Sequence, residues 1–362
     1  MMTSKERMHA TMGGEKVDRL FRFDLGAWPS TVRRWKKEGM PNHIPYDSCF
    51  QLDPLFTLPF RTGYTDSPLY PPFERKVLEQ GLEWEIVRDY DGITKKIFRE
   101  DSDLSMPQFL SYPMQSRADW AAMEKRLDPS NVMDLLGDTS LVTKQLSGMT
   151  DVPVLMRMCG GFGHPRNLLG DEDLYYMLFD DPKLIHEILD NWLMLYKEII
   201  KNVTSVIKLD IILLWEDMCY KNGPLISPAH FNEFIWPRYQ ELIAFAKGCG
   251  VDYAWVDTDG DCLKLIPLFT SAGVDAILPF EVQSGMDVVA IRKTFGDDFT
   301  IIGGIDKRAL AGSKEDIKKE VDRVLPFFLE RGKYIPCLDH TAPVNISYDQ
   351  FLYYLECLRR YE

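Results

Sequence analysis

The stretch VDYAWVDTDGD (251–261), followed by VDAILPFE (274–281), FTIIGGID (299–306) and KYIPCLD (333–339), decides how this chain is read. Each segment is a short run apolar on both faces, bounded by Gly, Asp or Pro. A strand buried in a parallel sheet has that pattern. Two more such runs lie upstream, PVLMRMC (153–159) and IKLDIILLW (207–215). Amphipathic helical stretches separate the runs. One starts at Ser227-Pro228, a Ser N-cap with Pro at the first helical position. Another starts at Ser313, with Asp316 three residues on and Gly332 past its end. An early strand near Phe21–Leu25 and a weak one near Cys49–Leu52 bring the expected number to eight. Repeated β-then-α units with eight strands predict an α/β fold of the (β/α)8, TIM-type barrel class. A doubly wound open sheet is the competitor, and the lack of GxGxxG after the first strand argues against its dinucleotide-binding form.

Residues 1–18 read as a short amphipathic helix leading into the apolar stretch Leu20–Leu25. The segment 28–126 is irregular and rich in turns. Within it, LEWEIVRDYDGITKKIFRED (82–101) reads as a β-hairpin turning at Asp91-Gly92. Pro107 and Pro113 mark a linker in MPQFLSYPM (106–114). We take residues 1–362 as a single barrel domain, with 28–126 as an N-terminal elaboration that caps it. The length of 362 residues accommodates this, since a barrel alone takes roughly 250 residues.

Composition narrows the function classes. Apolar residues make up 45% and charged residues 27% of the chain, which excludes a disordered or low-complexity protein. A net charge of −13 argues against a protein built to bind phosphate backbones. No run of about 18 apolar residues is present to span a membrane. The start MMTSKERMHATMGG lacks the apolar core of a signal peptide. The 7 cysteines form no CxxC pair, so a reduced, cytoplasmic protein is expected.

Active sites of such barrels lie at the C-terminal ends of the strands. Here those ends carry Cys159-Gly160-Gly161, Glu216-Asp217, Asp257-Thr258-Asp259-Gly260-Asp261, Glu281, Asp306-Lys307 and Asp339-His340. Converging carboxylates repel and raise one another's pKa, so a cation must join them. That cation is a metal, an Arg or Lys, or a cationic substrate. His340 among the acids favours a divalent metal such as zinc, with Asp257, Asp259, Glu281 and His340 as ligands. Each has a plainer reading alone: a polar turn for Asp257 to Asp261, a helix cap for Glu281, a loop histidine for His340. His164 and Arg166, after the turn GGFG, are candidates to touch a substrate.

The stretches EDMCYKNGPLISPAHFNEFIWPRYQELI (216–243), VDTDGD (256–261), PFEVQSGMDV (279–288), IIGGIDKRAL (301–310) and YIPCLDHTAPVNISYDQF (334–351) together resemble the uroporphyrinogen decarboxylase superfamily. The resemblance runs through most of 150–362 and more faintly through 1–150. It implies a (β/α)8 barrel and one of two activities: cofactor-free decarboxylation of uroporphyrinogen, or zinc-dependent methyl transfer involving corrinoid proteins or thiols. The decarboxylases carry an Arg-rich signature of the RQAGRY type, whereas this chain has FRFDLGAWPSTVRRW (21–35). An acid-lined face would also serve an eight-carboxylate substrate poorly. The thiol-directed methyltransferases bind zinc through a His-x-Cys pair and a late Cys. Those positions read Asp257-x-Asp259 and His340 here.

The resemblance therefore points to the cobalamin-dependent O-demethylase branch. There a methyl group passes from an aryl methyl ether or a methylamine-like compound to the cobalt of a separate corrinoid protein. It implies zinc or another Lewis acid at the leaving group, or Glu216 or Asp217 as general acid. Phe23, Trp28 and Phe56 are candidate aromatic walls, and Phe23, Trp28 and His164 the expected substrate contacts. The expected partners are a small methylated substrate, a corrinoid protein and, as a further arrangement, a second copy in a homodimer, with no nucleic acid and no membrane. The alternatives are a cofactor-free decarboxylase and a non-enzymatic scaffold on the same fold.

Overall fold

Strands with no polar face end up covered on both sides, and that is what the C-terminal part of the chain forms. The computed structural model describes residues 1–63, 68–98 and 107–362. Strands are numbered in chain order: β1 (Phe56–Thr57), β2 (Lys76–Gln80), β3 (Trp84–Arg88), β4 (Thr94–Phe98), β5 (Gln108–Ser111), β6 (Val154–Cys159) and β7 (Ile211–Trp215). Then follow β8 (Cys219–Tyr220), β9 (Gly223–Pro224), β10 (Tyr253–Asp257), β11 (Ala276–Leu278), β12 (Thr300–Ile302) and β13 (Tyr334–Ile335). A curled parallel sheet runs in the order β1-β6-β7-β10-β11-β12-β13. All six apolar runs read downstream of residue 150 supply strands to it. Helices such as Pro182–Thr204, Trp236–Gly248 and Lys314–Leu329 lie between the strands in sequence. Ser227 and Ser313 cap their helices as read, Ser313 with Asp316 in a capping box.

Alternate side chains of the sheet meet in one apolar cluster inside the curl: Leu155, Ile211, Leu213, Trp255, Ala276, Leu278, Ile302, Ile335 and Cys337, joined by Phe21. Phe21 belongs to the extended segment 20–28, where a regular strand was expected. That segment makes only an isolated bridge, Ala27 with Ala342, flanked by bonds from Trp28 N to Ala342 O and from Ala342 N to Gly26 O. On its other side Asp53 N donates to Arg22 O, but Arg22 N donates to the Asp53 carboxylate. The same carboxylate accepts from Arg7 and Arg19. A side chain here takes the place of a ladder partner, so no strand propagates. The weak strand expected at Cys49–Leu52 is instead the end of a helix, Tyr46–Phe50, closed by Gln51 in the left-handed region. The strand role passes to β1.

Within residues 28–126, β2-β3-β4-β5 form a separate antiparallel sheet. β3 and β4 pair across Asp91-Gly92, where Gly92 has φ +81° and the Asp91 carboxylate accepts from Ile93 N. Residues 99–101 of the expected hairpin lie outside the described residues, as does Met106 of the expected linker. The rest of that linker is not one, because Gln108–Ser111 is β5. Among the described residues, no helix is long and apolar enough to cross a membrane.

Candidate active site

A cavity of about 650 Å³ opens at the C-terminal ends of the parallel strands. Its floor is apolar, with Phe23, Leu155, Leu213, Trp255 and Leu278; its rim is polar, with Asp217, Asp257, Asp259, Tyr220 and His340. Strand-end residues reach the rim because each strand alternates inward and outward, and the last inward residue stands at the mouth.

Glu216 and Asp217, adjacent in sequence, go to different places. Glu216 is fully buried and does not line the cavity. Its carboxylate accepts from Phe162 N at 2.8 Å, Gly163 N at 2.9 Å and the Tyr239 hydroxyl. It thus satisfies the first amides of the helix Gly163–Leu169. Gly160 makes room for it, since a Cβ there would lie 2.2 Å from the Glu216 Cδ. Burial pushes the Glu216 carboxyl up against the pull of those hydrogen bonds. Asp217 has φ +44°, a conformation that costs a non-glycine residue on the order of 1–2 kcal/mol and swings its side chain into the cavity. Burial first, and the Asp259 charge second, raise its carboxyl above the usual range. Arg166 Nη1 donates to the Asp217 carbonyl at 2.6 Å, and its guanidinium lies 4.9 Å from the Trp215 ring.

Three of the four expected metal ligands come together. Asp259, Glu281 and His340 offer ligand atoms within 4.8 Å of one another; Asp257 lines the cavity but lies outside this group. His340 Nε2 is 3.3 Å from the Asp259 carboxylate, and Trp28 stacks on its ring at 6.2 Å. Burial opposes the His340 charge, yet Asp259 carries the net shift upward. Lys307 Nζ donates to Glu281 at 2.9 Å, so an internal cation already faces one of the three. Two carboxylates and an imidazole make a donor set that fits a divalent cation, with Lys307 giving way. Behind them, buried Asp339 accepts from Val282 N and Lys307 N and ties the last strand end to its neighbours.

Other sequence candidates fare differently. Phe23 and Trp28 line the cavity. Phe56 does not, and packs on the main core instead. His164 is buried on the inner side of its helix, off the cavity, and burial lowers its pKa to about 3, which keeps the imidazole neutral. Arg157, Asp171 and Asp24, unread in the sequence, all line the cavity.

The model of the family described as uroporphyrinogen decarboxylase matches residues 98–361, most of the chain. The chain belongs to this family. A curated uroporphyrinogen decarboxylase from Chlorobium phaeovibrioides (strain DSM 265 / 1930) is 25% identical over 154 residues, 42% of this chain and 41% of that protein. The matched stretch therefore spans less than half of the relative. A solved structure titled methyltransferase from Methanosarcina mazei superposes over 99% of both chains with a TM-score of 0.66 at 14% identity, a likeness of fold.

In this member of the uroporphyrinogen decarboxylase family, one carboxyl of the cavity wall is held well above its usual range. Asp24 accepts from the Tyr46 hydroxyl at 2.5 Å, and burial raises its carboxyl to about 7. The folded chain then holds a proton that the unfolded chain releases near 4, so this group's contribution falls as pH rises from about 4 to 7. Asp24→Asn, neutral throughout, is expected to lack that loss. Its stability relative to the parent should rise by about 4 kcal/mol across the window in urea unfolding. A difference independent of pH would show that the carboxyl titrates normally.

The place of Lys307 gives a second expected result. Lys307→Met removes the ammonium beside Glu281, and zinc affinity measured by calorimetry should tighten by about tenfold or more. His340→Ala should abolish zinc binding in both backgrounds.

Proposed function

We propose that this chain transfers a methyl group from a small methylated compound, an aryl methyl ether or similar, to the cobalt of a corrinoid held by a separate protein. The curled sheet together with the segment 20–28 then reads as a complete (β/α)8 barrel with 28–126 capping it. The observation that carries the reading is the meeting of Asp217 with the Asp259–His340 pair at the mouth of a cavity floored by aromatic and aliphatic side chains. The name of the Methanosarcina mazei neighbour agrees with it.

The corrinoid cobalt, when its carrier protein docks, supplies the nucleophile for the methyl carbon. A divalent cation held by Asp259, Glu281 and His340 would supply Lewis acidity at the leaving oxygen. Asp217, its carboxyl raised by burial, holds a proton for that oxygen as the C–O bond breaks and the electron pair stays on oxygen. Phe23 and Trp28 supply aromatic surface for a ring, and Arg166 fixes the Asp217 backbone. Asp24, Asp171, Asp217, Asp257 and Asp259 against Arg157 and Arg166 make the cavity a poor host for eight carboxylates.

The test is to mix the purified chain with reduced corrinoid protein and a panel of methoxyaromatics and methylamines, and to follow the demethylated product. Carbon dioxide released from uroporphyrinogen, with no methyl transfer from any donor, would replace this reading by decarboxylation.

A further inference from the structure

Arg166 is fixed in the cavity wall by groups that leave its charge unpaired. Its Nη1 donates to the Asp217 carbonyl, a neutral acceptor, and its guanidinium lies 4.9 Å from the Trp215 ring and 5.6 Å from the Phe162 ring. Among the described residues no carboxylate forms an ion pair with it, and Nε and Nη2 have no hydrogen-bond partner. Neither nitrogen is enclosed, and the side chain lines the cavity. Nε and Nη2 form one edge of the planar fork, the edge that takes both oxygens of a carboxylate. Two phenols stand beside it. The Tyr112 ring packs on Gly170, four residues past Arg166, where a Cβ would lie 2.4 Å from the Tyr112 Cε2. Tyr175 is on the next helix, Asp171–Asp180. Burial first and the Asp171 charge second raise both phenols, Tyr175 to about 12, and the Arg166 charge acts on each in the opposite sense. Both hydroxyls therefore keep their protons in the field of the same guanidinium, and neither has a partner among the described residues.

We propose that the free edge of Arg166, with the Tyr112 and Tyr175 hydroxyls beside it, binds a carboxylate of the substrate, which is a small methylated acid. That this acid is the methyl donor rests on the methyl-transfer reading; the carboxylate site does not. The same guanidinium grips the backbone of Asp217, so an acid held on it is registered against the Asp217 carboxyl. One charge opposes the site. Asp171 is exposed at the edge of the cavity and forms no ion pair with Arg166. Solvent screens an exposed carboxylate of this kind, so it weakens the site without cancelling it. Arg166 becomes a specificity-determining residue that separates charged from neutral substrates.

Calorimetric binding to the full chain, without corrinoid protein, tests this. A chelator in the buffer keeps the probe from ligating a cation at Asp259, Glu281 and His340 instead. The probes are 3- and 4-methoxybenzoate and the matching methoxybenzamides, each pair alike except for the charge. At least one benzoate should bind tighter than its amide by about tenfold or more. Arg166→Gln also frees the Asp217 carbonyl, a loss common to acid and amide, so the readout is their ratio, which should fall to within about twofold. Arg166→Lys, a charge without the fork, should keep part of it. Tyr175→Phe should weaken the benzoate by roughly threefold and spare the amide. Asp171→Asn leaves the anchor of Arg166 untouched and removes the opposing charge, so the ratio should rise by roughly twofold to fivefold. Equal binding of acid and amide, no binding of any probe, a ratio that survives Arg166→Gln, or one that does not rise in Asp171→Asn overturns the proposal. A preference of the expected kind in a chain that transfers no methyl group would leave the carboxylate site standing and remove the methyl-transfer reading.

Discussion

Replacing Glu216 by alanine is expected to lower the stability of the fold by about 3–5 kcal/mol, enough to threaten folding at growth temperature. The carboxylate sits at zero exposure with three donors on it, from Phe162, Gly163 and Tyr239. Its removal strands all three in a space no water reaches easily, at roughly 1–3 kcal/mol for each donor left unsatisfied. It also leaves a void against Gly160, where the absence of a Cβ admits the carboxylate. Glu216→Gln should cost less, about 1–3 kcal/mol, because one amide oxygen still accepts while the NH₂ faces donors. Urea unfolding measures both. Should Glu216→Gln leave the unfolding midpoint untouched yet abolish turnover, Glu216 would belong to the chemistry rather than to the scaffold.

That outcome turns on a detail the amino-acid string does not display. Glu216 and Asp217 are neighbours, and alternation along a strand says only that they face opposite ways. Which one enters the cavity is set by the left-handed backbone at Asp217 and by the pull of the Phe162 and Gly163 amides on Glu216. The acids and histidine at Asp257, Asp259, Glu281 and His340 were legible because each directly follows an apolar run whose end defines the mouth. The runs themselves were legible because burial on both faces keeps their centres almost wholly apolar. Arg157 breaks that rule within PVLMRMC, and a lone charge in an otherwise buried strand was the available sign of an inward site. The failure at Phe21–Leu25 has a different source: apolar alternation was present, but the partner of Arg22 N is the Asp53 side chain, a contact between distant residues with no local pattern. His164 was misplaced because it lies on the inner face of a seven-residue helix, too short for periodicity to reveal a face.

Asp217→Asn, by contrast with the Glu216 variants, should leave stability nearly unchanged and lower methyl transfer by roughly 10²–10⁴-fold, the range lost when a general acid is removed. The substitution is chosen for the backbone: Asn tolerates positive φ as well as any side chain but Gly, so the turn at φ +44° persists. The carbonyl that Arg166 grips is also unaffected. What disappears is the proton that the buried carboxyl keeps for the leaving oxygen. The size of the loss should therefore depend on the leaving group. A methyl ether of a strongly acidic phenol, such as a nitrophenol, departs as a stable anion and has little use for a proton. A methyl ether of an unsubstituted phenol needs one in the transition state. The penalty of Asp217→Asn should shrink markedly from the second substrate to the first, measured as kcat in single-turnover reactions with the corrinoid protein in excess. A penalty equal for all leaving groups would assign Asp217 to holding the rim in shape. Charge on the leaving oxygen would then fall to the cation that Asp259, Glu281 and His340 would hold.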